Sequence, residues 1–479
     1  MTGNAAADYF GRSVNTAGDI DNDGYADIII GAFGKNSLAG AAYVIYGGER
    51  SSLSDFDLST TSLNPQTTGF MITGNGGSLG ISVSTAGDID KDGYDDIIVG
   101  AYTENIQTGI VYVIYGAKKS SMSNIDLTSD TLDPLTTGFT ITGNTYGDSL
   151  GFSVSTAGDI NNDGYSDLII GAFGKSTAYV IYGGPKSSMS NIDLSTTTLT
   201  PLSTGFTITT NGGGADKFGY SVSTAGDINN DGYDDIIIGA YAKNTAQGAA
   251  YIIYGGKKSS MSNIDLSTTS LHSVSKGFMI TGNAPNDQFG IFVSTAGDIN
   301  NDDYSDIIIG ANTKSSSTGA AYVIYGGEKS SLSDIDLSTT ALTPATTGFT
   351  IGGNSASDNF GRAVSKAGDM NKDGYNDIIV GAYTKNQGVA YVIYGGEKSS
   401  MSDIDLSITT LDSLTTGFMI TGEAGSDNFG ISVGIAGDVD KDGYTDIIIG
   451  AHSWNGGQGA AYVIHTGLLF RFTLSLIPL

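Results

Sequence analysis

A nine-residue pattern, D-x-[DN]-x-D-[GD]-Y-x-D, occurs seven times, starting at Asp19, Asp88, Asp159, Asp227, Asp298, Asp369 and Asp438, at intervals of 69, 71, 68, 71, 71 and 69 residues. Such spacing means stacked copies of one supersecondary unit, each burying its apolar face against its neighbours. A chain of 479 residues would ordinarily be shared among several domains. Composition hardly drifts along this one, however, so a single repetitive domain over residues 1–466 is expected, followed by a tail over 467–479. The 70 glycines against 7 prolines favour short strands joined by many turns.

The third copy shows how a unit is built. Residues 152–158 alternate and are rich in small side chains, as an inner strand near a crowded axis should be. Residues 167–171 form a short apolar run suited to a strand buried on both faces, and residues 178–182 and 205–209 supply two more strands. Four strands in each of seven copies predict an all-β, seven-bladed β-propeller, with the aspartate loop between the first two strands of each blade. A connector of roughly twenty residues between the third and fourth strands explains a period above the ~40–45 residues of simpler blades. Only six outer strands lie between the loops, so a terminus must supply the seventh. Residues 1–4 match the tail of residues 69–75, and residues 470–476 alternate apolar and polar; the C-terminal segment is the preferred candidate.

Oxygen ligands at positions 1, 3, 5 and 9 of a tight loop, with a backbone carbonyl at 7, suit a hard cation that takes six or more oxygens. That choice points to calcium: zinc favours nitrogen or sulfur, and magnesium keeps several waters. The expected ligand sets are Asp19, Asp21, Asp23, the Tyr25 carbonyl and Asp27; Asp88, Asp90, Asp92, Tyr94 and Asp96; Asp159, Asn161, Asp163, Tyr165 and Asp167; Asp227, Asn229, Asp231, Tyr233 and Asp235; Asp298, Asn300, Asp302, Tyr304 and Asp306; Asp369, Asn371, Asp373, Tyr375 and Asp377; and Asp438, Asp440, Asp442, Tyr444 and Asp446. Position 3 is Asp in loops one, two and seven and Asn elsewhere, so those three should bind most tightly. Loop five carries Asp303 where the others have Gly, and is expected to be the weakest. These loops supply 24 aspartate ligands, about half of the 50 acidic residues, and about seven structural calcium ions would halve the formal charge of −28.

The absence of cysteine excludes disulfides and thiolate metal sites. An acidic chain is a poor partner for nucleic acid, and no apolar run approaches the ~18 residues of a membrane span. No basic-then-apolar leader opens the sequence, which begins in mid-repeat. Catalysis needs an asymmetric constellation, and His272, His452 and His465 read as drift within the repeat, so no enzymatic role is expected.

The copies resemble FG-GAP repeats of the integrin-α propeller. The FG element stands at Phe10-Gly11, Phe218-Gly219, Phe289-Gly290, Phe360-Gly361 and Phe429-Gly430, with Leu79-Gly80 and Leu150-Gly151 as departures. The GAP element recurs as Gly31-Ala32-Phe33, Gly100-Ala101-Tyr102, Gly171-Ala172-Phe173, Gly239-Ala240-Tyr241, Gly310-Ala311-Asn312, Gly381-Ala382-Tyr383 and Gly450-Ala451-His452, its proline replaced throughout. The connectors are more similar to those of bacterial surface proteins with integrin-like repeats and of the glycosylphosphatidylinositol-specific phospholipase D propeller. The resemblance implies a secreted or cell-surface platform for adhesion or protein binding. A non-catalytic module of a larger secreted enzyme and a carbohydrate-binding propeller are the alternatives. On the face opposite the aspartate loops, Lys35, Lys175, Lys243, Lys314 and Lys385 recur two residues after the GAP site, and Trp454, the one tryptophan, takes that place in blade seven. They are the candidate docking surface for an acidic protein or glycan.

Overall fold

The computed structural model describes residues 1–51, 53–271 and 275–468. In the third blade, Leu150–Gly158, Asp167–Ala172, Thr177–Ile181 and Gly205–Thr209 pair antiparallel in that order from the axis outward. The inner strand starts two residues earlier than alternation suggested, because Leu150 pairs with Ala172 across a bulge before Ser153. All six residues of the second strand are buried, since blades pack on both of its faces. The same pattern repeats around seven blades, confirming the all-β, seven-bladed propeller. Among the described residues no helix is long and apolar enough to cross a membrane.

The apolar core is divided into slices between neighbouring blades. Ile169, Val180 and Phe206 of the third blade, for example, pack with Ile236, Ile238 and Tyr251 of the fourth. The FG and GA pairs set the spacing of these slices. A Cβ on Gly171 would come within 1.9 Å of the Gly219 carbonyl oxygen, and one on Gly450 within 1.9 Å of that of Gly11. Glycine is thus required where one blade's second strand meets the backbone of the next blade's FG turn, including the seam between the last blade and the first.

Each connector contributes a short fifth strand to the preceding blade. Ile192–Asp193, between the third and fourth strands of blade three, runs parallel to the outer strand of blade two and pairs with Ile141 and Thr142. Ile125–Asp126, Ile264–Asp265, Ile335–Asp336 and Ile404–Asp405 do the same for blades one, three, four and five. The residue before each clip assists: Asn191 Oδ1 accepts the Thr140 N–H at 2.9 Å. These clips satisfy backbone groups that an open sheet edge would expose.

At the seam, Met1, Thr2 and Gly3 stand in the outer-strand position of the seventh blade. Ala461 N–H donates to the Met1 carbonyl at 3.0 Å and Gly3 N–H to that of Gly459 at 2.9 Å. Thr2 bridges to Ala460 on one side and, in parallel, to Asp57 on the other. The other candidate for this place, residues 470–476, lies outside the described residues, as does His272.

Candidate metal loops

The sequence of each aspartate loop dictates its fold. Asp19 at position 1 accepts the N–H of Asp23 at 3.0 Å and of Gly24 at 2.8 Å, while Asp23 accepts that of Tyr25 at 3.0 Å. Positions 4 and 6 turn through positive φ, at 56° for Asn22 and 87° for Gly24. In loop five Asp303 adopts φ 69° in the glycine's place. The position-7 tyrosines are half-buried, with their N–H groups held by position 5. Position 9 is fully buried in every loop. Asp27 Oδ2 accepts the Ile20 N–H at 3.0 Å and Oδ1 accepts that of Gly47 at 2.8 Å, so this residue also staples the loop to the end of the third strand.

Ligand oxygens converge. Carboxylate atoms of Asp19, Asp21 and Asp27 lie within 4.8 Å of one another, as do those of Asp88, Asp90 and Asp96 and those of Asp438, Asp440 and Asp442. These are the three loops with Asp at position 3. In loops three to five, Asn161, Asn229 and Asn300 donate Nδ2 to the position-9 carboxylate at 2.8, 2.8 and 2.9 Å, and their buried Oδ1 atoms accept no hydrogen bond. Burial lifts the position-9 carboxyls well above their usual range in Asp27, Asp96, Asp167 and Asp235, to about 8 in Asp306 and to about 7 in Asp377. An all-oxygen set of buried carboxylates with unsatisfied atoms fits a hard cation, which would offset that cost. Loop six differs: Asn371 Nδ2 donates to Asp373 Oδ2 at 2.9 Å. In loop seven, His465 replaces the tyrosine that ends the third strand elsewhere, and its Nδ1 stands 3.2 Å from Asp440 and 3.3 Å from Asp446.

Sequence reasoning missed a basic residue from the next blade at most of these loops. Lys119 Nζ lies 2.5 Å from Asp23 Oδ2 and 3.1 Å from Asp21 Oδ2, although neither Asp21 oxygen accepts a well-aligned hydrogen bond. Lys186, Lys258, Lys329 and Lys398 make the corresponding contacts with Asp92, Asp163, Asp231 and Asp302, and Arg50 reaches Asp440 at 3.3 Å. The signal was present: a Lys or Arg followed by Ser-Ser recurs in every connector.

On the opposite face the recurrent lysines turn back onto their own blades. Lys243 donates to the Tyr251 hydroxyl at 2.6 Å and Lys314 to that of Tyr322. Lys35 is buried 3.7 Å from Asp8, and Lys385 lies 3.5 Å from Asp358. Lys175 is exposed. Trp454 is half-buried against the slice containing Tyr462, beside an open groove of about 560 Å³ lined by Asp427 and Asn455.

Seven stretches, residues 10–45, 79–114, 150–181, 218–253, 289–324, 360–393 and 429–464, match the FG-GAP repeat family. Over 193 residues the chain is 34% identical to integrin alpha pat-2 of Caenorhabditis elegans, covering 37% of this chain and 14% of that protein. It is 30% identical over 197 residues to integrin alpha-V of Gallus gallus, covering 39% and 17%. With integrin alpha-4 of Xenopus laevis the identity is 28% over 244 residues, covering 49% and 20%. The matched regions span a fifth or less of these relatives.

Proposed function

Because the chain belongs to the FG-GAP repeat family, we propose that it is a calcium-loaded, integrin-α-like propeller that serves outside the cell as an adhesion or protein-binding platform. The observation that carries the calcium reading is the convergence of carboxylates around a buried position-3 aspartate in loops one, two and seven, with the unsatisfied, buried Asn161, Asn229 and Asn300 oxygens at that position in loops three to five. Asp19, Asp21, Asp23 and Asp27 and their counterparts would hold about seven ions, and the ion's part is to neutralise charge and fix the loop. Extracellular calcium at ~10⁻³ M would keep even weak sites filled. Likeness to integrin alpha chains supports the binding role. Lys175 and Trp454, on the face away from the loops, are the partner-facing side chains this reading favours, and it assigns no catalytic group.

A second reading is favoured by the connector lysines: ammonium groups, and not metal, neutralise the loops. One experiment separates the two. The purified chain is melted with excess chelator and with millimolar calcium while bound ions are counted. A steep calcium-dependent rise in melting temperature with about seven ions per chain supports the metal reading; indifference to calcium with no ions bound overturns it.

A further inference from the structure

The inner strands enclose a central channel, and the residue after each FG pair opens its inner strand at the end away from the aspartate loops. Five copies place Ile81, Phe152, Tyr220, Ile291 or Ile431 there. Blades one and six place Arg12 and Arg362, which both line the channel. Among the described residues no Asp or Glu lines it and neither guanidinium joins an ion pair, whereas Arg50 meets Asp440. Arg362 Nη1 is buried without a hydrogen-bond partner. Burial, and then the charge of Arg362, pulls Arg12 down to about 10. Two cations held together in a confined space call for an anion.

The rest of the mouth indicates which kind. Phe152 and Tyr220, with ring centroids 4.6 Å apart, form an aromatic wall, and Arg362 lies over Phe292 at 4.9 Å. Ser13, Ser82, Ser153 and Ser221 each accept a valine N–H of the next blade at 3.0 Å, which fixes their oxygens and leaves each O–H able to donate into the channel. That ring of serines is interrupted by Phe292 and Ala363, next to Arg362, so the cationic side is a departure from the repeat and not a copy of it. The cavity of about 130 Å³ has room for a small anion, since one water needs ~10–15 Å³ on the same measure. Two guanidinium forks match the roughly four lone-pair sites of one carboxylate.

We propose that the channel mouth between Arg12 and Arg362 binds a carboxylate, drawn from an acidic side chain of a partner protein or from a small carboxylic acid. The test uses the full chain in calcium and measures binding of acetate and of glutamate blocked at both backbone ends by saturation-transfer proton NMR, and of inorganic phosphate by phosphorus-31 line broadening. Both carboxylates bind, and Arg12→Gln and Arg362→Gln each weaken binding about tenfold or more. Tighter binding of blocked glutamate than of acetate assigns the partner side chain as source; the reverse assigns a small acid. A crystal of the unaltered protein soaked in bromoacetate should place bromine in the channel, a readout that needs no variant to fold. Binding of phosphate alone, no binding at all, bromine elsewhere, or affinity unchanged in both variants overturns the proposal. Counting calcium in the same samples keeps this outcome separate from that of the loops, which lie at the other end of the channel.

Discussion

Lys186, in the connector of the third blade, holds its Nζ 2.6 Å from Asp92 Oδ2 and 3.2 Å from Asp90 Oδ2 in the loop of the second. One ammonium thus sits between two candidate ligands of an ion and ties two blades together. Replacing it with Met should raise the calcium affinity of loop two about fivefold, near 1 kcal/mol once screening of these partly exposed groups is allowed for. The calcium-free protein should melt earlier. Calorimetric titration of Lys186→Met beside the unaltered chain checks both effects, and an unchanged second-loop affinity would count against competition between ammonium and ion.

Ligand charge should rank the loops. Asn161→Asp gives loop three the position-3 carboxylate of loops one, two and seven, and its calcium affinity should rise roughly tenfold. Asp21→Asn should lower that of loop one by a similar factor. Site-resolved titration in which neither affinity moves would remove position 3 from the ligand set.

Acid sensitivity should trace to His452. Burial, followed by the charges of Arg12 and Arg362, pulls this imidazole down to about 4. The unfolded chain protonates it near pH 6.5, so between those values the unfolded state binds a proton that the native state refuses. The stability it contributes is present above about pH 6.5 and lost as pH falls towards 4, by on the order of 2–3 kcal/mol. His452→Phe, restoring the ring found at Phe33 and Phe173, should flatten this limb in urea unfolding compared at about pH 7 and about pH 4.5.

Gly171→Ala should cost about 3 kcal/mol or more, because the added Cβ collides with the backbone carbonyl of Gly219 and the two blades must part. Urea unfolding measures the loss. A cost below about 1 kcal/mol would mean that the blades slide freely at this contact.

Ile106 is 76% exposed at φ 57°, in the turn after the second blade's GAP site, a conformation hostile to a β-branched side chain. Ile106→Asn should therefore stabilise the fold by about 1 kcal/mol, read as a higher melting temperature.

The blade count, the strand order and the acidic clusters of the aspartate loops were legible because each depends on residues close in sequence and repeated seven times. What escaped depends on pairs in different copies. Lys186 and Asp92 stand 94 positions apart, and the clip Ile192–Asp193 pairs with the outer strand of the preceding copy, so neither shows in a single repeat. The lysines of the opposite face were visible as a period. Their partners were not: Lys243 and Tyr251 lie on different elements eight residues apart, and the hydroxyl that claims the ammonium is defined only once the turn has folded. Arg12 and Arg362 stand in different copies, and only closure of the ring brings blades one and six to a common axis.

The parallel clips give synthesis a direction. The rim of a blade is finished only when the following connector has left the ribosome, so an emerging chain trails one incomplete unit behind it. Residues 1–3 meanwhile wait for the strands of blade seven to be made. Removing the third strand of blade seven thus damages two places at once: that blade, and residues 1–3, which pair with it.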